Sequence, residues 1–481
     1  MDDQSYSDAV RSAVNQPLGG KEIHFPVGGL SDAIASSRLS GKCTPAAFNV
    51  IFRAPYNIDS CGGTRPGLKA FSGSAPTSPT TSHWLWPNGE PILWPDGDNM
   101  AFAELGGKVV MPDGSALFKQ HEVFEVSASN GNVPAECSAF AWYRDRFVVA
   151  SGNMWYASRL GTHDDFDYGG DSEDPSRAAA GSVALAGREG ETITALAAIA
   201  DNSLIIATKR SIWRVSGEPT MLMSQVSDNI GIISRDAWCW DGMRLWFLGP
   251  NGLYVMALGE PPVLATPHLN DTLSGLSSAT LVFDPERNGI HILMPYAMDG
   301  FYDISNKAYW PLIYPASKKP IGGGVAMLDG KNRVVFLCSD NVFRYWDEDQ
   351  DTDDGTAIPS ACAFGPITHT TGNTEQAFLA ELDFEFDDSI TAAEGVAISG
   401  YVGNTSNAVV ELVQNAIGEM LGPEIETGDE KFRYSVRPGW NHVVRPRVRC
   451  NSFSPVVWSA GGRWALSKIT AVHRGCGRIR R

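Results

Sequence analysis

At 481 residues the chain is long enough for two or three domains, and its 49 glycines, 29 prolines, 10% aromatic and 19% charged residues fit an all-β protein rich in turns. A net charge of −17 excludes a general nucleic-acid clamp, because such a body repels phosphate at long range. No apolar run approaches the length of a membrane span, and the acidic start Met1-Asp2-Asp3-Gln4 does not read as a signal peptide.

In chain order, residues 1–45 hold few apolar runs and read as an extended arm with little core of its own. Residues 46–100 read as platform strands followed by loops. Val50–Phe52 suits one strand, Arg65-Pro66-Gly67 a turn and Leu68–Phe71 a second strand. Trp84, Trp86 and Trp94 then fall in Pro/Gly settings, as either a contact surface or tryptophans packed under a long loop.

Residues 101–347 repeat one unit, seen best in Ile193–Gly217: short apolar runs broken by polar turns, each too short for a helix. Eight residues after Ile205 comes Trp213, and the same spacing joins Val110 to Phe118, Val148 to Tyr156, Trp246 to Tyr254 and Val335 to Phe343. A sixth copy, Ile292 to Tyr302, has two extra turn residues. The aromatics lie 38, 57, 41, 48 and 41 residues apart, the period of a propeller blade. One blade cannot bury its own faces, so the expectation is a β-propeller of about six blades with Phe118, Tyr156, Trp213, Tyr254, Tyr302 and Phe343 in its core. A plain β-sandwich with similar hairpins is the lesser reading. The 57-residue gap is an insertion, Gly161–Gly190, expected to project as a loop.

The acidic run Asp347–Asp354 marks an exposed linker over residues 348–358. It has the alternate acids of a calcium loop, but Asp354 stands where that loop needs glycine and Ser360 where it needs a bidentate Glu. A solvated linker is therefore favoured, for this run and for the acids of Asp164–Asp174. Residues 359–481 read as a C-terminal sandwich-like domain: alternation in Phe378–Phe386, weaker in Val396–Val402, then Phe432–Val436, Val443–Cys450 and Trp464–Val472. The sole helix candidate is short, near Val413–Leu421.

No nucleophile elbow, P-loop, dinucleotide fingerprint or H-E-x-x-H motif occurs, so no catalytic residue, cofactor site or metal site is assigned and no enzyme is expected. Asp113-Gly114 and Asp299-Gly300 fall where a sialidase-type propeller carries its Asp box, but the other repeats do not keep it. Eight cysteines without a C-x-x-C pair read as free thiols of a reducing compartment.

Charge is unevenly placed. From Arg433 to Arg481 there are eleven Lys/Arg and no Asp or Glu, while the remainder holds 27 basic and 55 acidic residues. Arg445, Arg447 and Arg449 lie two apart on one strand face, and Pro446, which lacks a ladder donor, places that strand at an edge. With Arg478, Arg480 and Arg481 they form a candidate interface to an acidic neighbouring subunit; phosphate contact is the second reading.

Several stretches together resemble the tail nozzle or hub proteins of short-tailed bacteriophages, the tail tubular protein B and packaged-DNA stabilisation type. They are Asn49–Arg53 with Thr64–Leu68, Arg146–Arg159, Ser203–Gly217, Gly231–Tyr254 and Arg463–Arg481, about half the chain in the family's order. The resemblance implies a hexameric ring below the portal and head–tail adaptor, with tail fibre or needle partners. It further implies non-specific passage of double-stranded DNA through a channel, a virion location and assembly in the host cytoplasm. A carbohydrate-binding propeller, or a propeller glycosidase, is the alternative class.

Overall fold

The computed structural model describes residues 20–32, 42–52, 61–70, 83–85, 91–93, 103–105, 108–110, 124–125, 130–134, 136–162, 165–169, 174–184, 190–200, 203–217, 222–269, 272–295, 297–328, 331–340, 342–365, 367–368, 375–386, 396–401, 430–450 and 452–478. Phe118, Trp86, Trp94, the helix candidate, Arg480 and Arg481 lie outside them. The chain divides into two compact units: Pro66–Thr356, and Met1–Arg65 together with Ala357–Arg481.

The middle unit is a β-propeller. Its first blade has strands Ala139–Tyr143, Arg146–Ser151, Met154–Ala157 and Ala179–Ser182. The second has Ile193–Ala200, Ser203–Thr208, Ile212–Ser216 and Leu222–Ser227, and the third Trp238–Trp240, Arg244–Gly249, Gly252–Ala257 and Val263–Leu264. The fourth runs Thr280–Asp284, Gly289–Leu293, Asp299–Asp303 and Ala308–Leu312. Each is an antiparallel meander, and first strands of successive blades lie side by side, Trp238–Trp240 by Thr280–Asp284 and that strand by Pro320–Leu328. Lys108–Val110 lies beside Ala139–Tyr143, but Val110 pairs with Ala103 in a two-stranded ladder.

The fifth blade takes Pro320–Leu328, Lys331–Cys338 and Phe343–Asp347 from its own region and Gly67–Ala70 from far upstream. That strand, expected in the platform, pairs antiparallel with Phe343–Asp347 instead, Lys69 opposite Tyr345 and Leu68 opposite Trp346. The borrowed strand covers the edge that Phe343–Asp347 would otherwise leave unpaired. The acidic run holds this strand and is no solvated linker. Asp353 is 1% exposed and its Oδ1 accepts from the Leu68 amide at 3.1 Å; Asp347 accepts from Lys69 Nζ at 2.7 Å. Arg344, 3% exposed, donates to both oxygens of Asp340 at 2.7 and 2.8 Å and to Asp354 at 2.9 Å.

The other unit joins both chain ends in two six-stranded sheets. One runs Val50–Phe52, Gly62–Thr64, Ala465–Arg478, Glu375–Phe386, Trp440–Cys450, with Gly20–His24 also on Ala465–Arg478. The second runs Ala47–Phe48, Ser360–Ala363, Ser452–Ser459, Val396–Tyr401, Glu430–Ser435, with Ile367–Thr368 also on Ser452–Ser459. The segment 1–45 is thus more than a coreless arm: Gly20–His24 pairs with Lys468–Val472, and Phe25 is buried. Its ring occupies the space a Cβ on Gly62 would take, 2.0 Å from the ring edge, so glycine is required there. Phe453 packs against His473 at 5.7 Å and Phe432 at 6.4 Å, and Trp464 Nε1 donates to Ser360 Oγ at 2.9 Å.

Candidate functional site

The expected core aromatics sit one per blade and meet at no single site. Trp213, Tyr254 and Tyr302 are buried; Tyr156 and Phe343 are half-buried. In the first blade the fully covered ring is Trp155, one residue earlier, packed onto Gly181, where a Cβ would meet the indole nitrogen at 2.6 Å. Successive strand residues face opposite ways, so the bulky pair Trp155-Tyr156 splits between two faces, and Tyr156 meets Tyr168 at 6.5 Å instead. The ladder also runs one residue later than the sequence spacing indicates: Trp213 opposes Ile206, Tyr156 Val149 and Tyr254 Phe247.

Aromatics knit neighbouring blades. Trp155 and Trp213 share one core cluster across the first two blades. Tyr302 meets Trp246 at 5.8 Å, its hydroxyl donates to the Ala265 carbonyl at 3.3 Å, and burial pushes the phenol up to about 12. Between the fourth and fifth blades, His291 is buried among Phe301, Phe336 and Trp346 at 5.0, 4.9 and 4.5 Å. Its Nε2 lies 3.2 Å from Asp284 Oδ2, and Arg287 reaches Glu348 at 2.7 Å while covering the Trp346 ring. Burial alone would raise the Asp284 carboxyl, but the His291 hydrogen bond and the charges of His291 and Arg287 hold it below its ordinary value. No spacing in the sequence singled out this cluster, whose members come from five strands and two turns of the fourth and fifth blades. Its role is to satisfy buried charge at a blade junction.

The insertion after Met154–Ala157 does not simply project. Arg146, 2% exposed, donates to the carbonyls of Ser158 at 2.8 Å, Arg177 at 2.7 Å and Pro175, fastening both ends of the excursion to the blade. Phe166 within it is buried and lies in a short parallel ladder with Gly131. Deleting Thr162–Arg177 therefore strips Arg146 of two of its three carbonyl acceptors, Arg177 and Pro175, and is expected to lower stability by about 2 kcal/mol, with Arg146→Met costing about 3 kcal/mol. Denaturant melts of both variants check this; a deletion melting like the parent would show the segment to be dispensable.

The arginine row lies on Trp440–Cys450, the last strand of its sheet. Plain alternation is interrupted there: residues 445–447 span a bulge between the Leu379–Val448 and Glu381–Val444 pairs, and Arg449 stands opposite Phe378. Arg478 stands opposite Glu375. Between the two basic strands runs Glu375–Phe386, so Asp383 pairs across with His442 and Glu385 with Lys468. Residues 375–430 hold 13 acids and no Lys or Arg before the basic end begins. The sheet thus matches part of the basic end with acids of the same chain. Residues 66–356 carry 20 Lys/Arg and 36 Asp/Glu, net −16, so most of the remaining acidity resides in the propeller.

Among the described residues no group of three or more His, Cys, Asp or Glu is placed to hold a metal ion, and no helix is long and apolar enough to cross a membrane. Cys43, Cys61, Cys137, Cys239, Cys338 and Cys362 are free thiols, and burial pushes Cys137, Cys338 and Cys362 up to about 12.

No protein-family profile and no curated protein matches the chain. Among solved structures, it is similar to a chain of the mitotic checkpoint complex, at 11% identity and TM-score 0.33, over 70% of this chain and 96% of that one. It is also similar to the extracellular domain of a one-component system of B. thetaiotaomicron, at 11% identity and TM-score 0.35, over 73% of this chain and 44% of that one. At such scores neither likeness carries an argument, and the propeller rests on its own ladders.

Proposed function

We propose that the chain is a non-catalytic ring subunit of a short-tailed bacteriophage tail, a nozzle or hub component that retains packaged double-stranded DNA and conducts it during ejection. What carries the reading is the uneven placing of charge: the propeller unit is net −16, the other unit is near neutral as a whole, and its final stretch from Arg433 holds eleven positive charges and no negative one. An acidic conduit lets DNA slide, because phosphates meet like charge and release no counterions. A basic sheet edge supplies orientation for contact with an acidic neighbour or with the head–tail adaptor. The ordered sequence resemblance supports the same reading, as does a propeller set between two chain ends that build one sandwich.

Native mass of the purified chain tests it, with a hexamer expected. Substituting Arg445, Arg447 and Arg449 together with Gln is expected to leave the fold intact, reduce ring formation or adaptor docking, and be mimicked in part by high salt. A triple variant that assembles normally but alters DNA ejection would move these arginines to the channel. A strictly monomeric chain that binds on a glycan array would replace the ring reading with the carbohydrate-binding one.

A further inference from the structure

Among the described residues of the propeller unit the exposed large apolar side chains are Leu160, Leu222, Met243, Leu258, Val263 and Ile321. In an antiparallel blade, the connection from strand one to two and that from strand three to four lie at the same end. Met243 lies in the first kind of connection in the third blade. Leu160 and Leu258 lie in the second kind, and Leu222 and Val263 each open a fourth strand directly after it. First strands of adjacent blades share a direction, so all five gather at one end of the first three blades. Ile321, at the start of a first strand, sits at the other end. In the fourth blade the same end carries Glu286, Arg287 and Lys307.

Met243 and Val263 are 77% and 61% exposed, a degree of apolar exposure that marks an interaction surface when several such residues share one end of a domain. The surface belongs to the net −16 unit: Glu260, Asp145 beside Arg144, and Asp241 bonded to Arg244 at 3.0 Å stand in the same connections. The connection holding Leu160 adds Asp165, Asp167 and Asp174 against Arg159 and Arg177, a surplus of acid. Its partner must therefore present apolar area flanked by positive charge. The chain itself carries that combination at the turn between Glu430–Ser435 and Trp440–Cys450. There Trp440 is 61% exposed, with Arg433 and Arg437 before it and no acid from there to the end. The turn is pre-organised: Asn441 Oδ1 accepts from the Arg437 amide at 2.9 Å, and its Nδ2 donates to the Arg437 and Gly439 carbonyls at 2.7 and 2.9 Å. An aromatic on a rigid turn with an arginine beside it is the composition of an interface anchor.

We infer that the apolar end of the first three blades receives the Arg437–Trp440 turn of a second copy of this chain. The inference rests on the ring reading and names its contact: two different patches meet head to tail, the arrangement that closes into a ring when the rotation permits.

The test uses the full chain, with native mass measured across concentration. Trp440→Ala, and separately Met243→Asp with Leu258→Asp, are each expected to weaken ring formation at least about 30-fold with unchanged melting curves, whereas Ile321→Asp leaves it unchanged. A photo-crosslinking residue at position 243 is expected to link to the peptide holding Trp440 of another copy. Rings that persist at parental affinity in both variants, or a crosslink that maps elsewhere, would overturn this contact and leave the ring standing. A chain that stays monomeric at every concentration would overturn both.

Discussion

Replacing Arg344 with Met lowers the unfolding free energy by about 1–2 kcal/mol, because the buried guanidinium's charge-assisted hydrogen bonds to Asp340 and Asp354 are lost, while those carboxylates stay exposed to water. Arg344 is 3% exposed and holds Asp340 and Asp354 at once, so its loss loosens the segment that clamps Gly67–Ala70. Denaturant melts give the magnitude, and hydrogen exchange at the Leu68–Ala70 amides shows whether the closing strand opens first. Arg344→Lys recovers little, since a point charge cannot bridge two acids in fork geometry. The same region is acid-sensitive. Burial alone would raise the carboxyls of Asp340 and Asp347, but hydrogen bonds from Arg344 and Lys69 respectively hold both below their ordinary value of 3.8. A lowered folded-state value means that the unfolded chain takes up the proton more readily. Stability is therefore complete above about pH 5 and is lost as pH falls through the depressed values. A melt that is flat from pH 6 to pH 2 would rule the carboxylates out as the clamp.

Truncating Trp213 to Ala costs about 3–5 kcal/mol, the range for removing a large buried aromatic. The indole is 6% exposed, shares a cluster with Trp155 and Leu196, and donates Nε1 to Ser211 Oγ at 3.0 Å. Tyr156→Ala, at the matching position one blade earlier, costs less than half as much because that ring is only half-buried. Equal costs at the two positions in urea melts would contradict the packing described for the first blade.

The repeat was legible in the sequence because blade strands are short, apolar and separated by turn formers at regular spacing, as at Ile205 and Trp213. Local periodicity cannot report which strand borrows from which. Gly67–Ala70 looks like any short strand, and only its pairing with Phe343–Asp347, remote in sequence, makes it part of the fifth blade. The same limit explains the acidic run. Six acids in the eight positions Asp347–Asp354 read as solvated charge, yet Arg344, Lys69 and the Leu68 amide, one nearby and two remote, engage several of them. Pro446 indicated a sheet edge from its missing donor alone, a constraint that needs no partner to be visible. The His291–Asp284–Arg287 group was not legible, because Phe301, Phe336 and Trp346 reach it only after two blades have packed.

The borrowed strand also fixes a timetable. Lys69 and Asp347 are 278 residues apart, so at roughly 5–20 residues per second a ribosome needs roughly 15–55 s between making one and the other. During that interval Gly67–Ala70 has no blade to join. Thr64 waits longer still, since its hydroxyl accepts from the Trp464 amide 400 residues away. Strands made before the blades are thus paired only after them, and the molecule matures from its middle outward. Unpaired strands held open for that long are open to mispairing with neighbouring nascent chains. Slowing translation beyond Thr356 would lengthen the exposure of the N-terminal strands without touching the blades already made.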